Sequence, residues 1–340
     1  MNAVDPYSDR PVAADAAAVL ESFRTSGARS FHTYAVQEVR ELYERGCATN
    51  GLNGDSMASV SDFSLEDFRV RVYDPRSVTG PTPAILFFHG GGWVMGSLST
   101  HDGLCRRLAA CTGLPVVAVD YRLAPEHPYP AAIDDSRAAL RWLFSACEIH
   151  GLDVTRATLV GDSAGGQLAA VLANENAQQS NPRPLSAQVL IYPMVDLTMS
   201  TSSYARVTDG FPLVADTIAW FAETYLPPGV DRSSPDVSPA LAALPRALPP
   251  TFVITVDNDP LVDEGANYAA ALAKSGAEVR YQHLTGYAHG LLTSAGRISR
   301  GEQVVEEIAT FIREQNEATA TDFVDSSDAL STTQTPLDVH

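Results

Sequence analysis

The chain reads as an α/β protein, with a mostly parallel central sheet flanked by helices and covered at one end by a helical cap. Three observations predict this. Short apolar runs alternate with segments of helical period from residue 68 to residue 314, the pattern of parallel strands joined by helical crossovers. Two of the runs end in glycine-rich turns, His89-Gly90-Gly91-Gly92 and Gly161-Asp162-Ser163-Ala164-Gly165-Gly166. A long connection, residues 194–250, interrupts the alternation, and a connection of that length inside an α/β repeat is usually functional, often a lid.

Residues 13–45 predict two helices broken near Ser26-Gly27, with Leu20 and Phe23 on one face of the first. Tyr34, Val36, Val39, Leu42 and Tyr43 support the second. These helices precede every strand and so form an outer layer or part of a lid. Residues 68–73 alternate apolar and polar, which predicts a half-exposed antiparallel strand. Residues 84–88 and 116–119 are buried strands, followed by helices at 101–112 and 133–147. The proline-rich loop 120–132 leads into the second helix. Residues 158–160 are the strand before the serine turn, and small apolar residues at helical spacing follow it to Asn174. Strands at 187–191, 251–256 and 278–283 and helices at 215–225, 263–275 and 303–314 complete the pattern. Residues 316–340 are polar and aperiodic, which predicts a disordered tail.

Composition narrows the class. With 45% hydrophobic and 19% charged residues over 340 positions, the chain can bury one large core or two modest ones. Its formal charge of −18 opposes nucleic acid and anionic membrane surfaces. The N-terminal residues carry no basic segment followed by an apolar one, and no run approaches the length of a membrane span. A cytoplasmic protein without a membrane span is the expectation. Cys47, Cys105, Cys111 and Cys147 lack metal-like or redox spacing and read as reduced thiols. Neither His89 nor His101 with Asp102 belongs to a paired-ligand pattern, and no Walker or Rossmann fingerprint is present, so no metal and no cofactor are expected.

The chemistry centres on Ser163. Gly161 and Gly165 flank it in the order G-x-S-x-G between a strand and a helix, the arrangement of a nucleophile elbow. The glycines are needed because a Cβ beside so tight a turn would collide with the crossing backbone. A serine hydroxyl needs a base, and the base needs an orienting acid. Of the later histidines, His340 lies in the tail and His283 ends a strand among apolar neighbours. His289 sits in a loop just past the last strand, at the sheet edge where such sites form, and is the candidate base. Asp257 and Asp259 both follow the preceding strand, and chain geometry alone leaves both open as the acid. Gly91, Gly92 and the N–H of Ala164 are the candidate donors to an oxyanion.

Together these motifs resemble the hormone-sensitive-lipase-like, or family IV, bacterial carboxylesterases of the α/β-hydrolase superfamily. The resemblance rests on residues 89–97, 120–131 and 161–166, on Tyr192-Pro193, on Asp259-Pro260-Leu261 with Asp263-Glu264-Gly265, and on His289-Gly290. It implies an α/β-hydrolase fold with Ser163 as nucleophile, Asp259 as orienting acid and His289 as base. It also implies that His89, Arg122 and Glu126 brace the glycine loop. Residues 1–50 and 201–230 would form the cap, residues 51–200 and 231–315 the core, and residues 316–340 the tail. The chain departs from the family pattern at Leu291, where phenylalanine is common, and at Val262, where arginine is usual.

The expected function is hydrolysis of short- to medium-chain carboxylic esters through an acyl-enzyme, with a small ester as partner. An amidase, lactonase or deacetylase using the same triad is the alternative, and a non-catalytic receptor on the same fold a remote one. Trp93, Phe211, Leu213, Trp220 and Phe221 are the candidate walls of an apolar substrate pocket. An exposed edge strand near Tyr281 would suit a homodimer.

Overall fold

The computed structural model describes residues 10–27, 29–145 and 151–331, with side chains as far as residue 318. Eight strands form one sheet: β1 (Ser59–Ser64), β2 (Arg69–Asp74), β3 (Thr82–Phe88), β4 (Val116–Asp120), β5 (Val154–Asp162), β6 (Leu185–Ile191), β7 (Thr251–Asn258) and β8 (Val279–Ala288). Their spatial order is β1-β2-β4-β3-β5-β6-β7-β8. β2 pairs antiparallel with both β1 and β4, and every pairing from β4 through β8 is parallel. The helices are α1 (Ala17–Thr25), α2 (Val36–Asn50), α3 (Asp102–Thr112), α4 (Ala131–Ser145), α5 (Ala164–Ala177), α6 (Ser203–Arg206), α7 (Ala215–Tyr225), α8 (Val262–Ser275) and α9 (Ser299–Ser331). This is the α/β-hydrolase architecture.

The central strands read as unbroken apolar runs because both faces of the sheet are covered. Successive residues separate onto the two faces. Leu86, Phe88, Val117, Val119 and Leu159 join the core under α4, α5 and α8, whereas Ile85, Phe87, Val116, Ala118 and Val160 join the core under α3 and α9. Each strand end on the C-terminal side of the sheet then passes into a loop that carries a polar group.

Three elements differ from the sequence reading. β1 carries no clear apolar alternation and five of its six residues are exposed; pairing with β2 and the Arg71–Asp62 ion pair (2.6 Å) hold it. β8 runs five residues past His283 because it pairs with β7 as far as Asn258↔Ala288. α9 continues to Ser331, past the expected end at Glu314 and through much of the expected tail. Beyond Glu314, no Gly or Pro interrupts the sequence until Pro336. Cys147 lies outside the described residues.

The N-terminal helices and the insertion after β6 hold each other. Arg24 Nε donates to the Gly210 carbonyl (3.0 Å), and His32 Nδ1 lies 3.2 Å from Thr217 Oγ1 at the start of α7. They meet over the C-terminal edge of the sheet. Among the described residues, no helix is long and apolar enough to cross a membrane.

Candidate active site

β5 ends in the serine turn, where Ser163 adopts φ 56° and ψ −120°, a conformation that L-residues rarely hold. Close packing fixes it. A Cβ on Gly165 would lie 2.0 Å from the Phe88 carbonyl oxygen, and one on Gly161 would lie 2.1 Å from the Gly165 oxygen. The Ser163 N–H donates to the Ile191 carbonyl (2.9 Å), and its own carbonyl accepts from Met194 (3.1 Å). The strained residue is therefore held from both sides, with its hydroxyl at the start of α5.

His289 follows β8 directly, and Asp259 follows β7. The His289 Nε2 lies 2.9 Å from Ser163 Oγ, and its Nδ1 lies 2.7 Å from Asp259 Oδ2. An ionised carboxylate only accepts, so Nδ1 carries the proton and Nε2 is left to accept from the serine. Asp259 is fully buried, and its second oxygen accepts the Leu261 N–H (2.9 Å). The Tyr192 ring packs 4.4 Å from the imidazole, centroid to centroid. This chain can take a proton from the hydroxyl and return it to a leaving group. Asp257 and His283 stand apart from it: Asp257 accepts the Gly286 N–H (3.3 Å) and lies 3.8 Å from His283 Nε2.

The glycine loop after β3 faces the serine. Gly92 has φ 60°, and a Cβ there would strike the Phe221 ring of α7 at 2.2 Å. The Gly91 carbonyl turns back to accept the N–H groups of Val94 (3.1 Å) and Met95 (2.9 Å). Gly91 and Gly92 both line the cavity that contains Ser163. Ala164 is the first residue of α5, where an N–H has no acceptor within the helix.

Buried polar groups brace this loop from below. Asp162 Oδ1 accepts the Gly90 N–H (2.8 Å) and lies 3.2 Å from His101 Nε2. Burial alone would raise the Asp162 carboxyl. The charge and hydrogen bond of His101, with the nearby His89 and His289, outweigh it and hold the group below the ordinary aspartate range. His89 bonds the Gly90 carbonyl (2.8 Å) and stacks on Tyr121 at 4.2 Å. Burial and repulsion from His101 push the His89 imidazole down to about 4. Arg122, near the start of the proline-rich loop, is held against Asp135 of α4 (2.7 Å).

The cavity above the serine measures about 330 Å³. Its apolar wall comes largely from the cap: Phe23 of α1, Phe31, Tyr34, Leu42 and Tyr43 of the next segment, and Leu213 and Phe221 of the insertion. Three expected pocket residues are not among those lining it. Trp93 is fully buried and stacked on Tyr225 at 4.4 Å, Phe211 packs with Leu20 and Val207, and Trp220 packs beside Phe221. Trp93 thereby joins the core to the cap, whereas Phe211 and Trp220 pack against other residues of the cap. Sequence reasoning missed the walls from α2, because Tyr43, Gly46 and Cys47 sit in an ordinary helical pattern that also buries Val39. It also passed over Asp162, whose place inside the Gly-Asp-Ser motif was the available signal.

Comparison with known proteins identifies the family. The family described as the alpha/beta hydrolase fold matches residues 85–293. The ethyl acetate hydrolase of Pseudomonas putida is 35% identical over 295 residues, covering 84% of this chain and 92% of that protein. Carboxylesterase NlhH of Mycobacterium tuberculosis is 42% identical over 235 residues, covering 68% of this chain and 73% of that protein. Among solved structures, an ester hydrolase from the metagenome of Lake Arreo, in complex with a bipyridine phosphonate derivative, superposes with a TM-score of 0.85 at 32% identity. The match covers 90% of this chain and 99% of that one. The family match over most of the sheet, the identity to these esterases and the shared fold lead to one conclusion: the chain belongs to the α/β-hydrolase fold family and, within it, to the hormone-sensitive-lipase-like branch of carboxylic ester hydrolases.

Proposed function

We propose that the protein is a serine carboxylesterase acting on short- to medium-chain esters of small molecules. The observation that carries this reading is the hydrogen-bonded sequence Ser163–His289–Asp259 opening into an apolar cavity beside a glycine-rich loop. His289 Nε2 takes the Ser163 proton as Oγ attacks the ester carbonyl. The oxyanion rests on the N–H groups of Gly91, Gly92 and Ala164, where fixed dipoles stabilise developing charge. The tetrahedral centre collapses by expelling the alkoxide, which receives the proton from His289, and an acyl-Ser163 remains. Water, deprotonated by His289, attacks that acyl group; the acyl–Oγ bond breaks, His289 returns its proton to Ser163 Oγ, and the acid leaves. Asp259 keeps the imidazole in its tautomer throughout.

The cavity volume of about 330 Å³ lies at the small end of ligand sites, roughly 300–1,000 Å³, which favours compact esters. A cytoplasmic setting with reduced thiols belongs to the same reading, as does a homodimer paired along β8, where Tyr281 is exposed; sedimentation velocity tests the dimer. The decisive experiment is hydrolysis of p-nitrophenyl esters from acetate to palmitate, with Ser163→Ala and His289→Ala alongside. We expect a maximum at short chains and a loss of about 10³-fold or more in each variant. A maximum at palmitate would make the protein a lipase, and no hydrolysis by folded wild-type protein would overturn the esterase reading.

A further inference from the structure

The oxyanion loop is held by a residue far from it in sequence. Arg40, on the cap helix α2, donates from Nε to the Val94 carbonyl (2.7 Å) and from Nη2 to the Ala124 carbonyl (2.9 Å). Nη1 and Nη2 also grip Glu126 at 2.9 and 2.7 Å. Val94 closes the turn whose first residue is Gly91, and the Ala124 N–H is itself bonded to the Trp93 carbonyl (2.9 Å). One guanidinium thus joins the oxyanion turn, the proline-rich loop and the cap.

We propose that Arg40 is a positioning residue for the oxyanion turn, coupling closure of the N-terminal cap to the placement of the Gly91 and Gly92 N–H groups. The inference rests on the esterase reading above. Three features argue for it beyond ordinary surface pairing. The side chain is only 23% exposed, and two of its acceptors are main-chain carbonyls of the loop segments themselves. Its four hydrogen bonds leave from Nε, Nη1 and Nη2, a spread that a planar five-donor fork supplies and an ammonium, with three donors on a single nitrogen, does not. Finally, Tyr43 and Cys47 follow at positions i+3 and i+7 on the same helix face and line the cavity. Any movement of α2 that opens the cavity wall also withdraws the support from the Val94 carbonyl.

Oxyanion donors act on the transition state, so displacing them lowers kcat and leaves substrate affinity largely intact. The test compares wild type, Arg40→Ala, Arg40→Lys and the control Arg45→Ala, whose arginine pairs only loosely with Glu41 (3.8 Å) on the same helix. Each is assayed with p-nitrophenyl butyrate and with an alkyl trifluoromethyl ketone, whose serine adduct places an oxyanion at the site. For Arg40→Ala we expect kcat to fall about ten- to hundredfold with KM within about threefold. Ketone affinity should fall in parallel, and added guanidinium ion should restore part of kcat. Arg40→Lys should fall between Arg40→Ala and wild type, and Arg45→Ala should match wild type. Should Arg40→Ala not fold, Arg40→Lys carries the same measurements. Unchanged kcat and ketone affinity in folded variants would overturn the proposal, as would a rise in KM alone. An inactive wild type would instead count against the esterase reading.

Discussion

Ser163 shows how one residue's conformation is stabilised by everything around it. Its positive φ is costly in isolation, and it persists because β6, β3 and the two flanking glycines leave no alternative path for the chain. Two neighbouring aspartates are also set apart in space at this scale. They lie two positions apart after the same strand, yet Asp259 meets His289 while Asp257 meets the Gly286 N–H near His283. In the proposed mechanism Asp259 holds the base tautomer. Asp259→Asn is expected to cut kcat by about 10³–10⁴-fold, whereas Asp257→Asn stays within about threefold of wild type. Steady-state kinetics on one short-chain ester decides this, and equal losses in the two variants would sink the assignment.

At the scale of the element, the elbow is a packing problem as much as a catalytic one. α5 crosses β3 so closely that Gly165 has no room for a methyl group, with the Phe88 oxygen 2.0 Å from where it would sit. Backbone cannot yield there as a flexible side chain would. Gly165→Ala is therefore expected to destabilise the fold by about 3 kcal/mol. Urea unfolding followed by circular dichroism measures it, and an unchanged midpoint would show that the crossing can relax. The elements most readable in the sequence were those with the strongest local signal: the buried strands β3, β4, β6 and β7, and the serine turn with its glycines. β1 was not readable, because an exposed edge strand stabilised by pairing and an Arg71–Asp62 contact carries no hydrophobic period. α9 runs past its amphipathic stretch, and the chain beyond that stretch carries no helix-breaking Gly or Pro before Pro336.

For the whole molecule, buried titratable groups link the active-site end of the sheet to stability. His89 is enclosed beside His101 and Asp162, and burial followed by His101 repulsion lowers its pKa from 6.5 to about 4. The unfolded chain takes up that proton near 6.5, whereas the folded chain does so only near 4. Between these values the unfolded state binds more protons, so this contribution to stability is full above about 6.5 and is lost as pH falls toward 4. Thermal midpoints measured from pH 7 to pH 4 are expected to decline across that window, and to decline less in His89→Asn. Parallel curves for the two proteins would contradict this.

By itself, the sequence determined the α/β alternation, the order of the motifs along the chain and the serine and histidine at their centre. Each of these is written in contiguous residues, where period, glycine placement and strand-end position act locally. Tertiary structure decided what depends on distant segments meeting. It separated Asp259 from Asp257, and it turned Trp93 onto Tyr225, Phe211 onto Leu20 and Val207, and Trp220 onto Phe221. It gave the cavity wall to α1, α2 and the insertion. It also brought Arg40 to the Val94 and Ala124 carbonyls, 54 and 84 positions away along the chain. An arginine on a helix looks like any other charged residue until the fold sets carbonyls within its reach, because hydrogen-bond partners are fixed by proximity in space and leave no period in the chain.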